Sequence, residues 1–133
     1  MSFEWRPGNK LQLLENGEEF FPRVFESISN SKFEVIIETF ILFEDIVGKE
    51  LHTRLIEATR RSVRVMLTVD GYGTHSLSSE YISTLVDAGV LFRIFDPRKK
   101  ILGLRTNLFR RLHRKIVVID GFRAFIGGIN YSA

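Results

Sequence analysis

The sequence predicts a mixed α/β domain: a largely parallel sheet flanked by helices, with an antiparallel hairpin near its end. Three observations lead to that expectation. Apolar runs rich in Val, Ile and Phe alternate with segments whose apolar residues recur at helical spacing. Turn residues punctuate them at Asn16-Gly17, Asp70-Gly71, Gly89 and Asp96-Pro97. The last apolar run, within residues 113–130, folds back on itself around Asp120-Gly121.

In chain order, residues 10–14 (KLQLL) read as a short strand closed by the Asn16-Gly17 turn. A helix is expected over 18–29, because Phe20, Phe21, Val24, Phe25 and Ile28 share one face. Residues 33–40 (FEVIIETF) are β-branched and aromatic, as strands are. Over 48–60 the residues Leu51, Leu55, Ile56 and Thr59 form one helical stripe, and 63–69 is a second apolar strand. Ser78 or Ser79 can cap a helix that ends at Gly89, and residues 90–95 form a third strand that stops at Asp96-Pro97. Two β-α-β units are therefore expected end to end, with right-handed crossovers and a ligand edge beyond the carboxyl ends of the strands. Glu38, Asp70 and Asp96 fall on that edge.

A length of 133 residues suits one domain with a real core. Apolar residues make up 44% and charged ones 26%, and no run approaches the ~20 apolar residues of a membrane span. The N-terminus has early charges and no apolar h-region, so no secretory signal is expected and the compartment reads as cytosolic. Without cysteine there are no disulfides and no thiolate metal sites; His52, His75 and His113 are the only imidazoles, and neither a metal nor a cofactor is expected. His52 reads as an exposed helical residue and His75 as a loop residue at the ligand edge.

The net charge of +3 is unevenly spread. Arg98, Lys99, Lys100, Arg105, Arg110, Arg111, Arg114 and Lys115 lie in one stretch that has no acidic residue, leaving the rest of the chain at −5. Such a stretch attracts the phosphates of lipid or nucleic acid; the plain alternative is a solvated loop. Within it Leu104, Leu108 and Leu112, with Ile101 nearby, would form an apolar stripe between arginines if helical, the form of a segment lying on anionic lipid. Gly103 and Asn107 weaken a helix, and a loop is the other reading.

The chemistry concentrates in HRKIVVID followed by GFRAFIGGIN. In a strand His113 and Lys115 point to one side, while Asp120 has the opposite parity. With Gly121-Phe122 as a two-residue loop, Asp120 pairs with Arg123, Lys115 faces Gly128, and His113 faces Asn130. Imidazole, ammonium and carboxamide then meet at one end, and Asp120 lies roughly 23 Å away at ~3.3 Å per residue, shaping the turn. Gly128 leaves a patch where a phosphate can approach the backbone. An imidazole can be nucleophilic or acidic near neutral pH, and Lys115 and Asn130 can donate to non-bridging oxygens. Glu38 and Asp70 are candidates to orient an imidazole or an incoming hydroxyl, or else caps and core-satisfying residues.

His113, Lys115, Asp120, Gly127, Gly128 and Asn130 match the phospholipase D superfamily pattern H-x-K-x4-D-x6-G-G/S-x-N at each defined position. WRPGNKLQLLENGEEFFP, IIETFILFEDIVGKELH, LTVDGYGTHSLSSEY, AGVLFRIFDPR and RTNLFRRLHRKIVVID extend the resemblance over essentially the whole chain, toward the cardiolipin synthase B branch. The resemblance implies a phospholipase D-like half-domain over residues 1–133, the N-terminal one and cut short at its C-terminus. It further implies phosphatidyl transfer from phosphatidylglycerol through a phosphohistidine, with His113 catalytic, Lys115 and Asn130 on phosphate, and Asp120 part of the motif. The implied partners are anionic phospholipid, a membrane surface on the cytoplasmic side of a bacterial inner membrane, and a second half-domain or second copy of the chain; nucleic acid is not expected. Arg98, Lys99, Lys100, Arg105, Arg110 and Arg111 are the expected membrane or anion contacts. Alone, one motif should show little or no transfer. The rival readings are a homodimeric metal-independent phosphodiesterase or nuclease, and a non-catalytic module that binds anionic membrane.

Overall fold

The computed structural model describes residues 2–97, 100–101, 104–105 and 110–133. Helix α1 spans Asn16–Ser29, strand β1 Glu34–Thr39, helix α2 Ile46–Arg60, strand β2 Arg64–Asp70, helix α3 Ser79–Asp87 and strand β3 Leu91–Phe95. Strands β4 (Lys100–Ile101) and β5 (Leu104–Arg105) follow, then β6 (Ile116–Ile119) and β7 (Arg123–Ile126). Asp45 caps α2 by accepting from the N–H groups of Val47 and Gly48, and Ser78 caps α3 by accepting from Tyr81, which satisfies donors that each helix start leaves open.

Five strands form one sheet in the order β3-β2-β1-β6-β7. β1, β2 and β3 run parallel; β6 runs antiparallel to β1, and β7 to β6. The expected mixed sheet is present, with both β-α-β units. Because β1, β2 and β3 are laid down in one direction, crossovers of one hand put α2 and α3 on the same face. That face carries Val35, Ile37, Val65, Leu67, Val69, Val117 and Ile119, which join Val24, Ile28, Leu51, Leu55 and Leu85 of the helices in a single core. The opposite face, with Ile36, Glu38, Met66, Thr68, Ile116 and Val118, is half-buried.

Three expectations are corrected. Residues 10–14 are not a strand: they find no ladder partner among the described residues, Leu11 and Leu13 are exposed, and Asn16, at φ 58°, turns the chain into α1. The basic stretch is not one helix, since Lys100–Ile101 and Leu104–Arg105 pair antiparallel; Leu112 is buried in the protein instead of lying on an interfacial stripe. Arg98, Lys99 and Leu108 lie outside the described residues.

The third correction is the register of the hairpin. Ile119 pairs with Arg123 and Ile116 with Ile126, so three residues turn the chain instead of two. Asp120 and Gly121 both take positive φ, 55° and 61°, which Asp and Gly tolerate better than most residues. The cause is the Asp120 side chain. Its carboxylate accepts from the N–H groups of Lys32, Phe33 and Glu34 at 2.7 to 3.3 Å, drawing Asp120 out of the ladder onto the start of β1.

Candidate active site at the carboxyl edge of the sheet

β6 enters the sheet opposite Glu38, so the three residues before it, His113, Arg114 and Lys115, lie beside the carboxyl end of β1. There the His113 ring packs against Phe40 with centroids 5.0 Å apart, and Lys115 Nζ stands 5.5 Å from the Phe40 centroid. The ammonium is 3.4 Å from His113 Nδ1 and donates to the His113 carbonyl at 3.2 Å. His113 is exposed and Lys115 partly so. One aromatic face therefore supports an imidazole and an ammonium that both remain open to a ligand, and such a face favours nearby cations.

Asn130 reaches this edge by a different route from the one the sequence suggested. With the register moved by one residue, Lys115 lies across from Gly127, whose N–H donates to the Lys115 carbonyl at 3.3 Å, and Gly128 is displaced from that position. Beyond β7 the chain leaves the hairpin and runs alongside the segment that follows β1. Tyr131 donates to the Ile41 carbonyl and accepts from Phe43 N–H, both at 3.0 Å. Asn130 Oδ1 accepts from Ile41 N–H at 3.2 Å, which commits the oxygen and leaves the amide NH₂ as a donor. His113 thus rests on Phe40 and Asn130 on Ile41, consecutive residues of β1's exit. Tyr131 anchors the crossing: it is buried against Phe20 and Phe21, and burial pushes its hydroxyl well above the ordinary tyrosine range.

The two glycines are open. A Cβ built on Gly127 or Gly128 meets nothing within 4 Å, so an anion can approach the backbone there. Asp120 stands at the far end of the hairpin, with its carboxylate on the backbone of residues 32–34.

The two supporting carboxylates divide. Glu38 turns to Arg114, whose Nε lies 2.8 Å from Glu38 Oε2; the contact is a pairing of charges and not an aligned hydrogen bond, since the same oxygen is buried without a hydrogen-bond partner. Asp70, 1% exposed, accepts from Tyr72 and Gly73 N–H with one oxygen and from Leu112 N–H with the other, at 2.7 Å. Glu38 engages Arg114 instead of the imidazole, and Asp70 acts on the backbone one residue before it. Further along the edge, the Arg111 guanidinium covers the Tyr72 ring at 4.3 Å and Arg110 stands 5.8 Å from the Phe95 centroid. His75 bonds the Tyr72 carbonyl through Nδ1 at 3.2 Å, and His52 bonds Thr84 between α2 and α3, away from this edge. Among the described residues no group of three or more His, Asp or Glu side chains is arranged to hold a metal ion.

Phe40 and Tyr131 escaped the sequence reading. Phe40 could have been found as the aromatic that ends the apolar run at the ligand edge. Tyr131 could not, because only the three-dimensional crossing brings it to α1.

The fold and the edge together define a class. The chain superposes on a phospholipase D family member, Nuc from Salmonella typhimurium, with a TM-score of 0.61 at 17% identity, over 89% of this chain and 68% of that one. It also superposes on NucT from Helicobacter pylori, with a TM-score of 0.65 at 18% identity, over 84% and 66%. At such identities the likeness concerns the fold alone, a phospholipase D-like α/β fold. Sequence narrows the class: the family described as "Cardiolipin synthase, PLD-like domain" matches residues 24–133, and the chain belongs to it. It is similar to cardiolipin synthase B of Salmonella typhimurium strain LT2, at 58% identity, and to that of Escherichia coli K12, at 56%, each over all 133 residues. It is 39% identical over 122 residues, 92% of this chain, to 25% of the length of cardiolipin synthase A of Pseudomonas syringae pv. syringae. The chain spans 32% of the length of the cardiolipin synthase B relatives.

Proposed function

We propose that this chain is one half of a phosphatidyltransferase centre that makes cardiolipin from phosphatidylglycerol. The observation that carries the reading is the convergence of His113 and Lys115 on Phe40 beside Asn130 on Ile41, within a chain 58% identical to a cardiolipin synthase B. The phosphodiester of the donor lipid sits over the two open glycines. Lys115 and the Asn130 amide donate to its non-bridging oxygens and stabilise the charge that builds up as phosphorus becomes five-coordinate. The His113 imidazole attacks phosphorus, forming a P–N bond, and the bond to the glycerol oxygen breaks. That alcohol needs a proton, which a second histidine supplies; general acid catalysis of this kind contributes ~10²–10⁴-fold. An alcohol of a second phosphatidylglycerol, losing its proton to the same base, then attacks phosphorus and releases His113.

The chain carries one H-x-K set, at His113 and Lys115, so in this reading the second histidine belongs to a complementary half-domain or a second copy of the chain. Arg110 and Arg111 on the same edge suit peripheral binding to the anionic cytoplasmic face of an inner membrane. No helix among the described residues is long and apolar enough to cross a membrane. The nuclease reading is not favoured, since relatives 56–58% identical to this chain over its 133 residues are cardiolipin synthases.

The test is a chimera in which residues 1–133 replace the matching segment of the 58% identical relative. The chimera is expected to convert phosphatidylglycerol to cardiolipin, and His113→Ala within it to abolish conversion, while the 133-residue chain alone turns over little or none. A chimera that folds but stays inactive would refute the proposal, as would full activity of the isolated chain.

A further inference from the structure

A cavity of about 250 Å³ opens beyond the carboxyl ends of β2 and β3, on the helix-covered side of the sheet. Its lining is mostly hydrocarbon, from Val69, Leu77, Ile82, Phe92 and Ile94; Thr74 and the His75 imidazole add polar atoms, and no carboxylate, ammonium or guanidinium is present. Val69 is fully buried at the inner end, whereas Ile94 is 41% exposed, which marks the mouth. Such a space offers a headgroup few partners, whereas a predominantly apolar groove accepts hydrocarbon.

This cavity and the histidine site share one frame. Thr74 lines the cavity, and its hydroxyl donates to the Phe40 carbonyl at 3.0 Å and accepts from Leu42 N–H at 2.9 Å. The ring of that same Phe40 supports His113. Gly71, also in the lining, follows Asp70, whose carboxylate holds Leu112 beside His113. β1 and β2 are adjacent strands, ~4.8 Å apart, so the anion site and the cavity are neighbours on one edge. In a glycerophospholipid the phosphate and the acyl carbonyls are likewise separated by a short glycerol link.

We infer that this cavity receives the first part of an acyl chain of the phospholipid whose phosphate lies at His113. The inference rests on the phosphatidyl-transfer reading and adds to it a place for the diacylglycerol side of the substrate. The lipid lies across the edge, its phosphate at β1 and β6 and one chain turned in under α3 between Ile82 and Ile94.

Methyl-labelled protein of the full 133 residues would be titrated with glycerophosphoglycerol, which has no chains, and with dihexanoyl phosphatidylglycerol below its micelle concentration. The headgroup is expected to move resonances of His113 and its neighbours at the phosphate, and to leave the cavity methyls unmoved. The short-chain lipid should in addition move the methyls of Leu77, Ile82 and Ile94 and bind about tenfold tighter or more, as burial of two or more methylenes implies. Filling the cavity by Ile82→Trp, or by Leu77→Trp should the first not fold, is expected to reduce lipid affinity to that of the headgroup for the unaltered protein. Equal affinities for the two ligands, or chain-dependent shifts at Ile36, Met66 and Ile116 on the open sheet face instead, would overturn the cavity while leaving the transfer reading intact. Chain-dependent shifts at Ile82 with His113 indifferent to both ligands would overturn the transfer reading, and this inference with it.

Discussion

The carboxylate of Asp70, at the end of β2, accepts a 2.7 Å hydrogen bond from the backbone N–H of Leu112, the residue before His113. Its other oxygen holds the turn after β2 through Tyr72 and Gly73. One buried group thus sets both the turn at the sheet's edge and the path on which the imidazole is delivered. Asp70→Ala leaves three N–H groups without their acceptor, and each buried donor left unpaired costs about 1–3 kcal/mol. A loss of about 3 kcal/mol or more in urea unfolding is expected. Asp70→Asn should lose less, because one oxygen can still serve the turn; a midpoint unchanged in the alanine variant would contradict this role.

Phe40 gives a prediction separable from folding. Replacing it with Leu keeps an apolar side chain but removes the aromatic face beneath His113 and Lys115. An exposed cation–π contact is worth about 0.5–1 kcal/mol, so inorganic phosphate should bind roughly two- to fivefold more weakly. His113 ring protons should move as the ring current is lost. Unchanged His113 shifts in the Leu variant would show that the stacking does not form.

Gly128→Ala separates space from chemistry. No atom within 4 Å opposes the added Cβ, and Gly128 is not among the positive-φ glycines. Thermal unfolding should be unchanged, or the protein more stable by up to about 1 kcal/mol, while phosphate affinity falls because the methyl occupies the anion's approach. A large drop in stability would mean the backbone there is more constrained than this geometry indicates.

Asp120 governs the response to acid. Partial burial pushes its pKa up, but hydrogen bonds from the Glu34, Lys32 and Phe33 N–H groups and the Lys32 charge outweigh this and hold it below the usual carboxylate range. A carboxylate depressed in the folded state stabilises above its unfolded pKa of about 3.9, and that contribution is lost as pH falls through the lower folded value. Asp120→Asn should therefore be less stable than the native chain at pH 7, by about 1–3 kcal/mol for hydrogen bonds to a charged acceptor. The difference should narrow below pH ~4, where the carboxylate of the unfolded chain takes up protons before that of the folded one. Urea midpoints of both proteins across that range would reveal it, and a gap that widens toward acid would reverse the assignment.

Arg110 and Arg111 predict salt-sensitive membrane binding. The chain should sediment with phosphatidylglycerol vesicles at low salt, less in high salt and not with neutral vesicles. Changing both residues to Ser should weaken association by about 1 kcal/mol per charge. Equal recovery with neutral vesicles would remove the electrostatic component.

Much of this was legible before folding, for local reasons. Period and turn chemistry located three helices, the three parallel strands and the hairpin, because apolar spacing records which side of each element is buried. The spacing from His113 to Asn130 singled out the imidazole, ammonium and carboxamide later found near the exit of β1, and hairpin distance with parity placed Asp120 away from them. What failed depended on partners distant in sequence. KLQLL has a strand's alternation but finds no neighbour among the described residues; the hairpin takes a three-residue turn because Asp120 is drawn to the backbone of residues 32–34. Asn130 joins His113 through pairing with the exit of β1, not across a ladder, and Phe40 becomes the shared support only when β6 lies beside β1. Residue types and spacings state which chemical groups are present and which way they alternate. Long-range hydrogen bonds and packing decide which groups meet, because those terms depend on distances that no local pattern encodes.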